Sequence, residues 1–178
     1  MISLVLGGNK SGKSAFGERL LAQSPVPHAV VVTGKAKDMG FRQQIQDHRL
    51  ARPVSMAVHE AGPDLLGTLQ SLPDARASVL VDSLDFWLFS IWEHCSDRVA
   101  RNAACQELCD GFAAWQGKAL VLVSTEMGLG PLPVSDQARA FARALGELNQ
   151  KIASISKNVY AVIAGLPLQL KGEGYGVL

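Results

Sequence analysis

The sequence predicts an α/β fold in which a mostly parallel central sheet carries helices on both faces. Three observations point there. Short β-branched, apolar runs alternate along the chain with segments of helical periodicity. The first strand opens into a glycine-rich loop followed by a helix. A later strand ends on a carboxylate, at the sheet edge where parallel α/β folds keep their ligands.

Taken in order, Ile2 to Leu6 reads as a short buried strand. Lys13 to Gln23 places Phe16, Leu20 and Leu21 at helical spacing, and Pro25 and Pro27 close that unit. "HAVVVTG", 28–34, reads as a second core strand. The polar stretch 35–53 holds a short helix around Arg42 to Arg49 that stops before Pro53. Val79 to Val81 is a strand that turns polar at Asp82 and runs into an aromatic-rich helix. An amphipathic helix over 97–116, a strand over 118–124 and a Gly/Pro loop over 125–133 follow. A helix from about Ser135 to Ser156 and a strand over 159–165 complete the alternation, and the tail from Leu166 offers an edge strand with a frayed end. No repeat or long linker divides the chain, so residues 1–178 are expected to form a single domain.

Composition narrows the function classes. Seventeen basic and sixteen acidic side chains leave a net charge of +1, and no Lys/Arg stripe tracks a phosphate backbone, so no nucleic-acid partner is expected. Cys95, Cys105 and Cys109 are three in number and lack paired C-x-x-C spacing, which predicts reduced thiols rather than disulfides or zinc. No stretch offers about 18 uninterrupted apolar residues, and Gly7 to Lys10 interrupt the first apolar run before it could serve as a signal peptide. A cytoplasmic protein without a membrane span is the expectation.

Gly7-Gly8-Asn9-Lys10-Ser11-Gly12-Lys13-Ser14 satisfies G-x-x-x-x-G-K-[ST] between a predicted strand and a predicted helix. In that context backbone N–H groups curl around phosphate oxygens, Lys13 reaches the β/γ oxygens and Ser14 ligates Mg²⁺. The fold is therefore expected to be that of a P-loop NTPase. Asp82 suits the second metal-binding element, with Asp85 a competitor and capping of the next helix the bland alternative. No guanine-reading N-K-x-D follows a later strand, which argues against a small GTPase.

His48 sits among Arg42, Arg49 and Arg52. A neutral imidazole there can attack phosphorus while the guanidiniums grip phosphate oxygens; the competing reading is a solvated histidine on a polar helix. His59 beside Glu60 carries the same ambiguity, and His28 and His94 are given no role. Phe86, Trp87, Phe89 and Trp92 occupy more than one helix face, so either core packing or an interface or apolar ligand surface accounts for them.

Several stretches carry a family resemblance. They are G-G-x-[RK]-S-G-K-S at 7–14, with Lys10 at a usual Arg; Thr33 and Asp38; I-x-x-H-R-x-x-R-P at 45–53; Glu60; "LVDSLDFWL", against L-V-D-C-L-T-x-W-L; "VSTEMGLGPLP", against V-S-N-E-V-G-x-G-I-V-P; and "RAFARALGELNQKIA". From Met1 to about Lys171 the chain resembles the adenosylcobinamide kinase / adenosylcobinamide-phosphate guanylyltransferase enzymes of cobalamin assembly. The resemblance implies ATP- or GTP-dependent phosphorylation of adenosylcobinamide, then transfer of GMP from GTP to that phosphate through a guanylylated His48. It also implies Glu60 at the nucleotide and a cytoplasmic homotrimer.

Departures from the pattern fall at Gly40, Gln44, Met56, Val58, Thr125, Ala142 and Arg143. Several lost charge-assisted contacts, each worth on the order of 1.5–3 kcal/mol, are enough to remove one activity and leave the other. His48 and the phosphate loop are kept, so guanylyl transfer is the half expected to survive. The alternatives are a P-loop kinase of another small molecule, or a degenerate member that only holds GTP or corrinoid.

Overall fold

The computed structural model describes residues 1–33, 57–131 and 133–172. The helix predicted around Arg42 to Arg49 lies outside the described residues. The elements are β1 (Ile2–Gly7), α1 (Lys13–Ala22), β2 (His28–Val32), β3 (Ala57–Glu60), α2 (Leu65–Gln70) and β4 (Ser78–Asp82). They continue with α3 (Leu84–His94), α4 (Arg98–Ala113), β5 (Leu120–Thr125), α5 (Asp136–Ile155), β6 (Asn158–Ile163) and β7 (Leu166–Lys171).

The strands form one seven-stranded sheet in the order β3-β2-β4-β5-β1-β6-β7. Every pairing is parallel except β6 with β7. The central strands are buried on both faces, which explains why they read as continuous apolar runs rather than as alternating ones. The two-residue period of the strand still sorts them. Val5, Val30, Leu80, Val121 and Val123 pack on one side with Phe16 and Leu21 of α1. Leu4, Val31, Val79, Val81 and Leu122 pack on the other with side chains from α2, α3, α4 and α5. The sheet therefore has helices on both faces, as predicted.

Helix α1 lies low on the sheet because residue 17 has no side chain: a Cβ there would come within 2.9 Å of Val123 and 3.0 Å of Leu80. Local chemistry sets the helix starts. Asp97 and Ser135 accept hydrogen bonds from the N–H groups of Ala100 and Ala138 at 3.0 and 3.1 Å, capping α4 and α5 close to the predicted starts.

The tail does add an edge strand, β7, whose Leu166, Leu168 and Leu170 remain exposed. Strand β3 and helix α2 are elements that the apolar pattern did not reveal. The aromatic helix divides. Trp87 is buried with its indole N–H donating to the Pro63 carbonyl at 2.9 Å, while Phe89 and Trp92 meet the Phe141 ring edge-to-face at 6.3 and 5.5 Å.

All three cysteines are free thiols. Burial pushes the Cys105 thiol up to about 11, with Cys109 raising it further, Lys151 opposing and Glu147 adding again. Because the thiolate is the nucleophile, only about one Cys105 in a thousand is reactive at pH 8. Iodoacetamide at that pH should label Cys105 in the native protein at least about a hundredfold more slowly than in the urea-unfolded chain, as read by peptide mass spectrometry.

Candidate active site

The phosphate loop begins where β1 ends and is clamped from both flanking strands. On one side the Glu126 N–H, just past β5, donates to the Gly7 carbonyl at 3.1 Å; on the other the Gly165 N–H, in the β6–β7 turn, donates to the Ser11 carbonyl at 2.8 Å. Gly12 adopts φ 93°, a left-handed conformation that disfavours side chains, and a Cβ there would meet the Gly165 Cα at 3.1 Å. The same residue precedes α1 and supplies no side-chain cap. The N–H groups of the first helical turn thus point out of the helix with the positive end of its dipole.

Lys13 Nζ donates to the Gly8 carbonyl at 3.2 Å, folding the cation back over the loop. Ser14 Oγ, on the first turn of α1, donates to Asp82 Oδ1 at the end of β4, at 3.1 Å. Asp82 does not cap α3, since the residue in that position is Ser83. The hydroxyl and carboxylate are the hard oxygen donors that Mg²⁺ prefers, which makes the pair chemically fit for that ion.

Thr33, buried at the end of β2, braces the chain as it leaves β4. Its hydroxyl donates to the Ser83 carbonyl at 2.5 Å and accepts from the Ser83 N–H at 3.1 Å, while its own N–H donates to the Asp82 carbonyl at 3.2 Å. Beyond β5, Asn149 of α5 accepts from Ser124 Oγ at 2.7 Å and donates to the Thr125 carbonyl at 3.1 Å.

Thr125 Oγ1 donates to Asp85 Oδ2 at 3.0 Å, and Asp85 Oδ1 is buried without a hydrogen-bond partner. Both residues depart from the resembled pattern, which has Asn at 125 and Thr at 85, and in this fold they bond to each other. Glu126 folds onto its own loop, accepting from the Gly128 N–H at 2.6 Å. Arg139 donates to the Pro133 and Val134 carbonyls at 2.8 and 2.6 Å and pairs with Asp136. It fastens the loop leading into α5.

The structure thus brings Gly7, Gly8, Asn9, Lys10, Ser11, Gly12, Lys13, Ser14 and Asp82 to one sheet edge. Glu60 ends β3, paired with Val32, four strands from β1 or roughly 19 Å at the usual strand spacing. His48, Arg49 and Arg52 lie outside the described residues. The bracing roles of Thr33, Asn149 and the Asp85–Thr125 pair were missed by residue-level reading. The signal available for the pair was two departures, one in the first turn of α3 just after β4 and one at the end of the neighbouring β5.

A glycine-rich loop between a strand and a helix, its lysine folded over it, and a serine joined to a carboxylate on a nearby parallel strand define a P-loop NTPase domain. The family model described as "Cobinamide kinase / cobinamide phosphate guanyltransferase" matches residues 3–170, and the chain belongs to that family, CobU. It is 35% identical over 173 residues to the bifunctional adenosylcobalamin biosynthesis protein CobP of Pseudomonas aeruginosa, covering 97% of this chain and 99% of that one. It is 27% identical over 183 residues to the bifunctional adenosylcobalamin biosynthesis protein CobU of Escherichia coli, covering 96% and 100%.

Among solved structures it resembles a type III secretion ATPase of pathogenic bacteria, at TM-score 0.58 and 11% identity over 94% of this chain and 56% of that one. The ATPase EscN of enteropathogenic E. coli gives 0.60 and 9% over 92% and 43%. This chain spans only about half the length of those two, and the likeness is one of fold alone.

The Asp85–Thr125 hydrogen bond yields a stability prediction. Thr125→Val should lower the unfolding free energy by about 1–3 kcal/mol, because it leaves a partly buried carboxylate without its donor. A double-mutant cycle with Asp85→Ala in urea should show a coupling of at least about 0.5 kcal/mol; additivity would show that the bond contributes nothing.

Proposed function

We propose that this protein phosphorylates the aminopropanol hydroxyl of adenosylcobinamide and then attaches GMP from GTP to the new phosphate by way of His48. The supporting observation is the preformed triphosphate site, with the Lys13 cation, the uncapped start of α1 and the Ser14–Asp82 pair at one edge, in a chain matched to the family over 3–170. The names of the relatives, both bifunctional adenosylcobalamin biosynthesis proteins, favour this reading over a kinase of another small molecule.

In this reading the backbone from Gly7 to Gly12 cradles the triphosphate, and Lys13 exchanges the neutral Gly8 carbonyl for phosphate oxygens. Ser14 and Asp82 hold Mg²⁺, which when bound neutralises phosphate charge. Arg49 and Arg52 grip phosphate oxygens beside His48, and Glu60 contacts the nucleotide. An imidazole nitrogen of His48 attacks the α-phosphorus of GTP as the bond to pyrophosphate breaks. A phosphate oxygen of adenosylcobinamide phosphate then attacks the same phosphorus and releases the histidine. ATP or GTP serves the phosphorylation step. A homotrimer in the cytoplasm is part of the same proposal; among the described residues no helix is long and apolar enough to cross a membrane. The seven departures bear on whether both reactions persist, and the guanylyl half retains its nucleophile.

The test uses GTP labelled at the α or the γ phosphorus, with Mg²⁺. Acid-labile, base-stable protein label should come from α-GTP only and vanish in His48→Ala. Lys13→Ala should weaken GTP binding about tenfold to a hundredfold by calorimetry, the range for a lost charge-assisted contact. Transfer of γ-phosphate to adenosylcobinamide without α-label would leave a kinase and sink the guanylyl-histidine; tight binding with no transfer would leave a degenerate binder.

A further inference from the structure

Away from the phosphate loop, helices α3, α4 and α5 enclose a cleft of about 340 Å³ whose walls are unusually cationic. Arg98, Arg101 and Asn102 line it from α4, Arg143 and Glu147 from α5, and Trp92 from α3. The two helices contribute residues at i, i+3 and i+4 spacing, the positions that normally meet as an apolar seam between packed helices. At this end of the α4–α5 pair the seam opens into three guanidiniums and one carboxylate.

Arg101 is held in place. Its guanidinium lies 4.3 Å above the Trp92 ring, one terminal N–H donates to the Ser96 carbonyl at 2.6 Å, and its Nε is buried without a hydrogen-bond acceptor. Arg98 is the first residue of α4, where the helix dipole disfavours a cation. Among the described residues neither Arg98 nor Arg143 has an ion-pair or hydrogen-bond partner. Beside the cleft, and sharing Trp92 with it, is a hollow of about 610 Å³ lined by Phe89, Met127 and Phe141, with Glu93, Ser135 and Gln137 as its polar rim.

We infer that the cleft binds the phosphate group of an organic phosphate monoester whose apolar body rests in the adjoining hollow. Three guanidiniums against Glu147 leave an excess of two positive charges, which matches the charge of about −1.5 to −2 on a phosphate monoester near neutral pH better than that of a single carboxylate. Arginine's planar fork suits phosphate oxygens, and stacking on Trp92 holds the Arg101 guanidinium at the cleft wall. The aromatic hollow discriminates an ester from free phosphate. This site stands independently of the cobinamide reading, because none of its residues belongs to the phosphate loop or to the Ser14–Asp82 pair.

Phenyl phosphate, titrated calorimetrically into the full-length protein, tests the inference, with inorganic phosphate as the second probe. Binding should survive in Lys13→Ala, which disables the phosphate loop. It should weaken at least about tenfold in Arg98→Ala/Arg143→Ala, both exposed positions, and inorganic phosphate should bind more weakly than the ester. Circular dichroism of the double variant should match that of the parent. Loss of binding in Lys13→Ala with none in the double variant would overturn the site, and equal binding of both probes would overturn the ester assignment. A change in sedimentation of the double variant with unchanged phosphate binding would also overturn it, assigning the arginines to a subunit contact instead.

Discussion

The hydrogen bond from the Gly165 N–H to the Ser11 carbonyl, 2.8 Å long, is the constraint on which the site depends. A loop built to wrap phosphate must expose its N–H groups, so it cannot satisfy itself as a helix or strand would. Ordering such a backbone costs about 1–2 kcal/mol per residue, and a free loop would draw that from ligand binding. Here the cost is met by the fold: β6 lies against β1 in register from Ser3 to Gly7, and the turn that follows β6 reaches over the loop. With Glu126 holding Gly7 from the other flank, the loop is shaped before any phosphate arrives.

How much of this was legible in the sequence follows from how local each signal is. The first strand, the loop, the first helix and the carboxylate ending β4 are written in contiguous residue types, and the structure reproduces them within a residue or two. Strand β3 was missed because Ala57 to Glu60 is four residues long with no full apolar run; it becomes a strand through its pairing with β2. Helix α2 is six residues held by the Asp64 cap and packed through Leu65 and Leu69, too short for a period to emerge. The aromatic excess of α3 was visible, but its division between Pro63 and Phe141 depends on elements distant in the chain. His48 was singled out by its arginine neighbours and its motif, which are sequence properties.

Departures from a family pattern also look different in three dimensions. Thr125 read alone is a lost amide, yet beside Asp85 it is one partner of a bond whose other partner has changed as well. The altered stretch at 142 and 143 moves a positive charge by one helical residue, a turn of about 100°. Arg139 nevertheless remains committed to its own loop, while Arg143 faces α4 rather than the loop's anchor. At Thr125, what resembles erosion in one dimension is one half of a local pairing.

The sheet order has a consequence for the birth of the protein. Strand β1 lies far upstream of both of its neighbours, β5 and β6, so that Ser3 pairs with Asn158. Such high sequence separation slows folding, since the loop-closure entropy must be met before those pairings reward it. During synthesis β1 and its glycine-rich loop therefore wait, without their flanking strands, until β5 and β6 have emerged. The phosphate cradle, encoded upstream of the residues that clamp it, can take its shape only after they are made.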